Sequence, residues 1–107
     1  MTEPRFKVER IRSAPHLEFV RRLPCSVPIC WTTPCSPHHF RSAATSGTGV
    51  KPGDDWCTPL CHEHHVEFHQ RGWLSFEDKY KIDLRAIAMG VAMVSRGMGI
   101  LQRKDEQ

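Results

Sequence analysis

Apolar side chains recur every three or four residues along the C-terminal part of the chain. The positions of this repeat are Leu84, Ile87, Val91, Val94, Met98 and Leu101. The repeat predicts a C-terminal helix over residues 84–107, with a second apolar stripe on its other side. A small domain has little surface with which to cover such a helix, so we expect a homodimer through it. The uninterrupted apolar run, residues 86–94, is too short to span a membrane.

Two shorter helices are predicted from the residues at their ends. Ser13 is a typical cap for a helix that must end before Pro24, and we expect His16 of this helix at the surface. A later helix is expected to begin at Ser75, which can form a cap-like pair with Asp78. Four prolines between residues 24 and 37 exclude long regular structure in that stretch.

The central helix is predicted over residues 58–71. Thr58 suits its cap, Pro59 its first position and Gly72 its exit. The period of 3.6 residues places Cys61 and His64 on one face of this helix. A second pair, His65 and His69, shares another face. Two ligand pairs on two faces indicate two metal ions.

Length and charge limit the architecture. A chain of 107 residues predicts one domain, with a polar arm (1–13), a core (14–83) and the C-terminal helix (84–107). The net charge of +3 is only mildly basic, but residues 1–22 carry six Arg and Lys against three acids. This flank is either a phosphate-contacting surface or an ordinary solvated face.

Cysteine usage indicates metal binding rather than disulfides. The cysteine count is five, which is odd, and charged residues interrupt any apolar leader after Met1. We therefore expect a cytoplasmic protein. Cys25 and Cys30 bound a tight turn, and with Cys61 and His64 they complete a Cys3His set suited to structural zinc. Cys35 has the same spacing from Cys30 and could take its place.

The second pair can be completed by another upstream residue. His38 can join His65 and His69, and three imidazoles leave a divalent ion with open coordination positions for catalysis. His62 lies near the same face and is either a further ligand or an exposed neighbour.

Four short motifs together carry a resemblance to a known family. In chain order they are Leu23-Pro24-Cys25, His38-His39, Lys51-Pro52-Gly53-Asp54 and Pro59-Leu60-Cys61. This pattern resembles the HNH nuclease superfamily, and more closely its small phage and bacterial branch that includes the phage recombination enhancement nuclease. The resemblance implies an α+β fold, in which a small ββα-metal (HNH-like) core with a zinc knuckle is flanked by helices.

The resemblance also implies a reaction and roles for individual residues. It implies hydrolysis of DNA phosphodiesters, with His39 as general base and Asp54 as the residue that fixes the hairpin and aims the base. The catalytic ion would be Mg2+, Mn2+ or Zn2+, and a recombination or phage protein is an expected partner. Arg41 and Lys51 are candidate DNA contacts, or ordinary surface charges.

Two functions from other classes compete with a nuclease. A zinc-stabilised module that binds DNA or acts as a scaffold needs only the Cys3His set, and leaves His39, His65 and His69 unexplained. A redox or metal-storage protein is disfavoured because Cys35 and Cys57 form no CxxC pair.

Overall fold

The computed structural model describes residues 11–40 and 53–102. Its elements are α1 (Ala14–Arg22), β1 (Ser36–His39), β2 (Cys57–Leu60), α2 (His62–Arg71), α3 (Trp73–Tyr80) and α4 (Leu84–Gly97). The described part is therefore a small α+β fold with four helices and a two-stranded sheet. Arg41, Lys51 and the glycine-containing connection 42–50 lie outside the described residues.

The first helix begins where its cap predicts. The Ser13 hydroxyl accepts a 3.2 Å hydrogen bond from the His16 amide, and α1 ends at Arg22, before Pro24. The expectation of a surface His16 is wrong, because its ring is fully buried against α4. There one ring nitrogen, Nδ1, lies 2.7 Å from Ser95 Oγ, and this polar contact allows an imidazole inside the core.

The two strands form an antiparallel pair that brings the upstream histidines beside the central helix. Ser36 pairs with Leu60 and His39 pairs with Cys57. The predicted helix start, with Thr58 as cap and Pro59 as first residue, is wrong: both lie in β2, and the Thr58 hydroxyl donates to the Leu84 carbonyl. Long-range pairing has overridden the local cap signal, and α2 begins at His62.

Helices α2 and α3 are separated by a single glycine. Gly72 has φ +89°, a value that favours glycine, and it ends α2 as predicted. The expected start at Ser75 is wrong, because α3 already begins at Trp73. Glu67 on α2 ties the two helices together by accepting from Lys79 at 2.6 Å and from the Tyr80 hydroxyl. These bonds lower the pKa of Glu67 to about 2.

The C-terminal helix begins at the predicted residue but buries a different stripe. Asp83 caps α4 by accepting from the Ala86 amide at 3.0 Å. The buried face consists of Leu84, Ala88, Ala92 and Ser95. Val94 is 55% exposed and Met93 is 71% exposed, so the apolar repeat divides between the core and the surface. Within residues 11–40 and 53–102, no helix combines the length and apolarity that crossing a membrane requires.

The main core lies between the sheet, α3 and the start of α4. Phe76, Leu60 and Leu84 are its largest fully buried apolar side chains, and Trp56 packs against it. Cys25, Cys35 and Cys61 belong to the same cluster, so the cysteine-bearing turn is packed onto the hairpin. This packing holds two groups of histidine and cysteine side chains in place.

Candidate metal centres and cleft

The Cys3His group joins the N-terminal turn to the start of α2. Its members are Cys25, Cys30, Cys61 and His64. Their ligand atoms all lie within 4.8 Å of one another, although the residues come from two distant segments. Hydrogen bonds from the Cys25 amide to the Thr32 carbonyl and from the Ser26 amide to the Pro59 carbonyl fix the turn against β2.

The separations within this group suit a tetrahedral zinc ion. Zinc bonds of about 2.3 Å to sulfur and 2.1 Å to nitrogen place two sulfurs about 3.8 Å apart, and sulfur about 3.6 Å from nitrogen. The Cys30 and Cys61 sulfurs are 3.9 Å apart. His64 Nδ1 lies 3.5 Å from the Cys25 sulfur and 3.2 Å from the Cys61 sulfur. The donor set and its geometry therefore fit zinc.

Thiol chemistry distinguishes the cysteines of this region. Burial raises the pKa of Cys25 to about 12, so a bound cation is needed to hold its thiolate at neutral pH. The Thr32 hydroxyl beside Cys30 lowers the pKa of that thiol. Cys35 lies outside the group, and burial raises its pKa to about 11 while its sulfur donates to the Thr32 carbonyl. The structure thus brings Cys30, and not Cys35, to the four-residue group.

A three-histidine group lies on the neighbouring face of α2. His38 comes from β1, whereas His65 and His69 are one turn apart on α2. His65 Nε2 is 3.3 Å from His38 Nδ1 and 3.2 Å from His69 Nε2. Phe68 packs on the His38 ring with 4.2 Å between centroids, which restricts the direction of that ligand.

This histidine group also fits a divalent ion. Nitrogens about 2.1 Å from one ion are about 3.0 Å apart at a right angle and about 3.4 Å apart in a tetrahedron. The two measured separations fall inside this interval. Burial, reinforced by the neighbouring imidazoles, lowers the pKa of His38 to about 3, so this ring is neutral, as a ligand must be. Three nitrogen donors leave positions for water or substrate.

His39 follows the first ligand and points to a different partner. Its Nε2 lies 2.9 Å from Asp54 Oδ1. The second oxygen of the same carboxylate, Oδ2, accepts from the Ser13 amide at 2.8 Å, and the Asp54 amide donates to the Ile11 carbonyl. Asp54 is only 3% exposed, and its contacts with Ser13 and Ile11 hold the buried residue whose carboxylate orients the imidazole.

A cleft of about 520 Å3 brings the histidines together at the surface. It is lined by Pro37, His38, His39, Phe40, His65, Phe68, His69 and Trp73. The three-histidine group and the oriented His39 therefore face one shared space. A divalent ion beside an imidazole is an arrangement that can activate a water molecule.

A family of proteins of unknown function, DUF968, has a sequence profile that matches residues 1–97. The chain belongs to this family. No curated protein and no solved structure matches the chain. Family membership assigns no activity, so the functional assignment rests on the chemistry of the cleft.

The other predicted site residues lie outside the three-histidine group or outside the described residues. His62 is exposed and lies outside the three-histidine group. Arg41 and Lys51 lie outside the described residues, so their contact with DNA stays a prediction. Phe40, directly after β1, meets Trp73 at the start of α3, and no local pattern brings these two residues together as cleft walls.

Proposed function

We propose that this DUF968 protein is a metal-dependent DNA endonuclease of the HNH type. The observation that carries the proposal is the oriented His39–Asp54 pair, which opens on the same cleft as His38, His65 and His69. A purely structural zinc module would need only the Cys3His group.

The order of elements supports this assignment. Two antiparallel strands followed by α2 form a ββα unit, and the ligands come from β1 and α2. The sequence resemblance to HNH nucleases rests on the same positions: His38-His39, Asp54 and the Cys61 segment. The proposal therefore joins a sequence pattern with an arrangement of side chains.

Each metal would have a separate role. Cys25, Cys30, Cys61 and His64 would hold structural zinc and tie the N-terminal turn to α2. His38, His65 and His69 would hold the catalytic ion, Mg2+, Mn2+ or Zn2+. An ion held by these residues would supply Lewis-acid stabilisation of charge on the phosphate and on the leaving 3′ oxygen.

The chain's own residues supply the proton chemistry. In the tautomer that carries its proton on Nε2, His39 would donate a hydrogen bond to Asp54 Oδ1, and the lone pair of Nδ1 would be available as the base. His39 Nδ1 would take a proton from the attacking water as its oxygen bonds to phosphorus and the bond to the 3′ oxygen breaks. Asp54 is a positioning residue, because it acts through the imidazole and not on the substrate.

The proposed partners follow from charge and from the helix surface. DNA would meet the basic N-terminal flank, with Arg41 and Lys51 as proposed phosphate contacts. The exposed apolar side chains of α4 would pair two copies of the chain. A recombination or phage protein is a further proposed partner, supported by the sequence resemblance alone.

Nicking of supercoiled plasmid by purified protein tests the proposal, with Mg2+, Mn2+ or Zn2+ added in turn. His39→Ala should keep its fold and zinc but lose about two to four orders of magnitude in rate. His62→Ala is the matched control, because it removes an exposed imidazole outside the group, and it should stay within a few-fold of wild type. Equal rates for His39→Ala and wild type with every metal would favour the non-catalytic zinc module.

A further inference from the structure

A second cavity adjoins the cleft and shares one wall with it. This cavity, of about 290 Å3, is lined by Phe40, Trp73, Glu77, Asp83 and Arg85. Phe40 and Trp73 also line the larger cleft, so the two spaces share an aromatic wall. A DNA strand with a phosphate in the cleft would therefore place a neighbouring nucleotide at Trp73.

The position of Trp73 suits stacking against a base. Its side chain is 41% exposed at the first position of α3. Its ring meets Phe40 with 5.2 Å between centroids and an interplanar angle of 86°. Phe40 is only 3% exposed and directly follows His39, so the indole rests on a fixed support beside the proposed base. A supported, exposed aromatic ring is the usual platform for an unpaired nucleotide.

The polar walls of the second cavity combine acceptors with a strong donor. Glu77 Oε2 accepts from the Leu84 amide at 2.8 Å, and Asp83 Oδ1 accepts from the Ala86 amide at 3.0 Å. One oxygen of each carboxylate thus fixes its side chain to the start of α4, at the wall of the cavity. Arg85, exposed in the same cavity, offers the planar donor fork of a guanidinium.

This set of groups matches guanine better than the other bases. Guanine carries donors at N1 and the 2-amino group on one edge, and acceptors at O6 and N7 on another. Carboxylates accept from the first edge, and arginine donates to the second. A phosphate is disfavoured here because two carboxylates outnumber one guanidinium.

We propose that the Trp73 cavity binds an unpaired guanine base of the DNA strand that enters the cleft. The inference rests on the proposed nuclease function and adds a base preference to it. Pairing would conceal the edge that the carboxylates contact, so the nucleotide must be single-stranded or displaced from its helix.

Binding of fluorescein-labelled oligothymidylate tests this inference, measured by anisotropy without added catalytic metal so that no strand is cut. One central dT is replaced by dG, dA, dC, deoxyinosine or 7-deaza-dG. The dG strand should bind wild type about tenfold more tightly than the others. Deoxyinosine lacks the 2-amino donor and 7-deaza-dG lacks the N7 acceptor, so each should lose most of the gain.

Variants locate the preference within the protein. Trp73→Ala should weaken binding of the dG strand about tenfold, whereas Leu74→Ala, its exposed neighbour outside the cavity, should bind as wild type does. Asp83→Asn combined with Glu77→Gln should abolish the preference for dG. Asparagine also caps helices, so α4 should remain folded. Lys81→Ala is the charge-matched control for Arg85→Ala, because Lys81 pairs with Asp78 away from the cavity.

The outcomes separate this inference from the proposed function. If wild type nicks plasmid but does not prefer the dG strand, the guanine cavity is overturned and the nuclease proposal stands. The same holds if Trp73→Ala binds the dG strand as tightly as wild type does. The guanine cavity is also overturned if free dGMP displaces the labelled strand tightly while the protein shows no preference among the strands. Wild type that neither binds nor cuts DNA refutes both proposals.

Discussion

The Ser13 amide donates a 2.8 Å hydrogen bond to Asp54 Oδ2, although 41 residues separate the two along the chain. The same residue caps α1 with its hydroxyl, so the start of the first helix also fixes the carboxylate that orients His39. Ser13 is thereby part of the cleft's support, although it is not among the described residues that line the cleft.

Replacing this carboxylate by an amide tests the orientation directly. In Asp54→Asn, the amide oxygen can still accept from Ser13, which leaves the amide nitrogen to face His39 Nε2. The imidazole must then carry its proton on Nδ1 and cannot act as a base, so nicking should fall by about two to four orders of magnitude. Zinc content and thermal stability should stay near those of wild type. An unchanged nicking rate would show that Asp54 does not set the tautomer.

Removing a single thiol tests the Cys3His group. Cys25→Ser should release zinc and lower the melting temperature by more than about 10 °C, because structural metal binding is coupled to folding. Cys35→Ser is the matched control, since it removes another buried thiol of the same cluster outside the group, and it should retain zinc. Zinc content by mass spectrometry and thermal melts provide the readouts. Loss of zinc from Cys35→Ser alone would reverse the assignment.

His65→Ala should impair nicking through weaker metal binding, whereas a variant that lacks the base should bind metal normally. It removes the ligand that lies between His38 and His69, so the metal concentration for half-maximal nicking should rise about tenfold or more. Part of the lost rate should return as the metal concentration rises. Titration calorimetry with Mn2+ measures the same defect without DNA. Unchanged Mn2+ affinity in His65→Ala would exclude the three-histidine group as the ion site.

The exposed face of α4 predicts a dimer. Met93 is 71% exposed and is followed by Val94 at 55%, so a charge at residue 93 should disrupt a pairing surface without unfolding the chain. Wild type should have twice the chain mass by light scattering, and Met93→Glu should be monomeric with a similar melting temperature. Leu74→Glu is the control, because Leu74 is also 71% exposed but lies on α3. A monomeric wild type at high concentration would refute the dimer.

Buried His16 predicts an acid-dependent loss of stability. Burial lowers its pKa from 6.5, although Asp55 and Asp54 oppose the shift, so the folded state keeps the ring neutral while the unfolded state gains a proton. The contribution of His16 should therefore be constant above about pH 6.5 and weaken by up to about 1.4 kcal/mol per pH unit below it. Denaturant unfolding at pH 5 to 8, at fixed zinc concentration, measures this.

His16→Leu should be less stable at neutral pH, because Ser95 Oγ loses its partner, yet its stability should fall less steeply in acid. The exposed control His62→Leu should retain the wild-type pH dependence. A His16→Leu profile parallel to that of wild type would refute the linkage.

Helical periodicity explains why the two ligand pairs of the central helix could be predicted from the sequence. Cys61 directly precedes α2, so the helical period places it with His64 on one side, and His65 with His69 on another. The upstream ligands were predicted from residue chemistry, and the structure places them beside these pairs. The homodimer and the DNA contacts of Arg41 and Lys51 remain predictions.

Contacts between distant parts of the chain explain why two sequence predictions were wrong, the start of the central helix and the exposure of His16. Thr58 and Pro59 carry the local chemistry of a helix start, but their partners in β1 lie some twenty residues away, and no local rule contains that pairing. The burial of His16 likewise depends on Ser95, which is 79 residues distant. Ser75 resembles a cap, yet the positive φ of Gly72 allows α3 to begin two residues earlier.

None of the ten residues of α2 is fully buried, although this helix provides ligands to both groups. Apolar contact alone therefore holds it weakly, and the two ions would supply much of its attachment to the hairpin. Because ions that bind only the docked helix favour that state by mass action, the local metal concentration would set how often α2 detaches. Chelation should speed amide hydrogen exchange in α2 well before the buried strand β2 is affected.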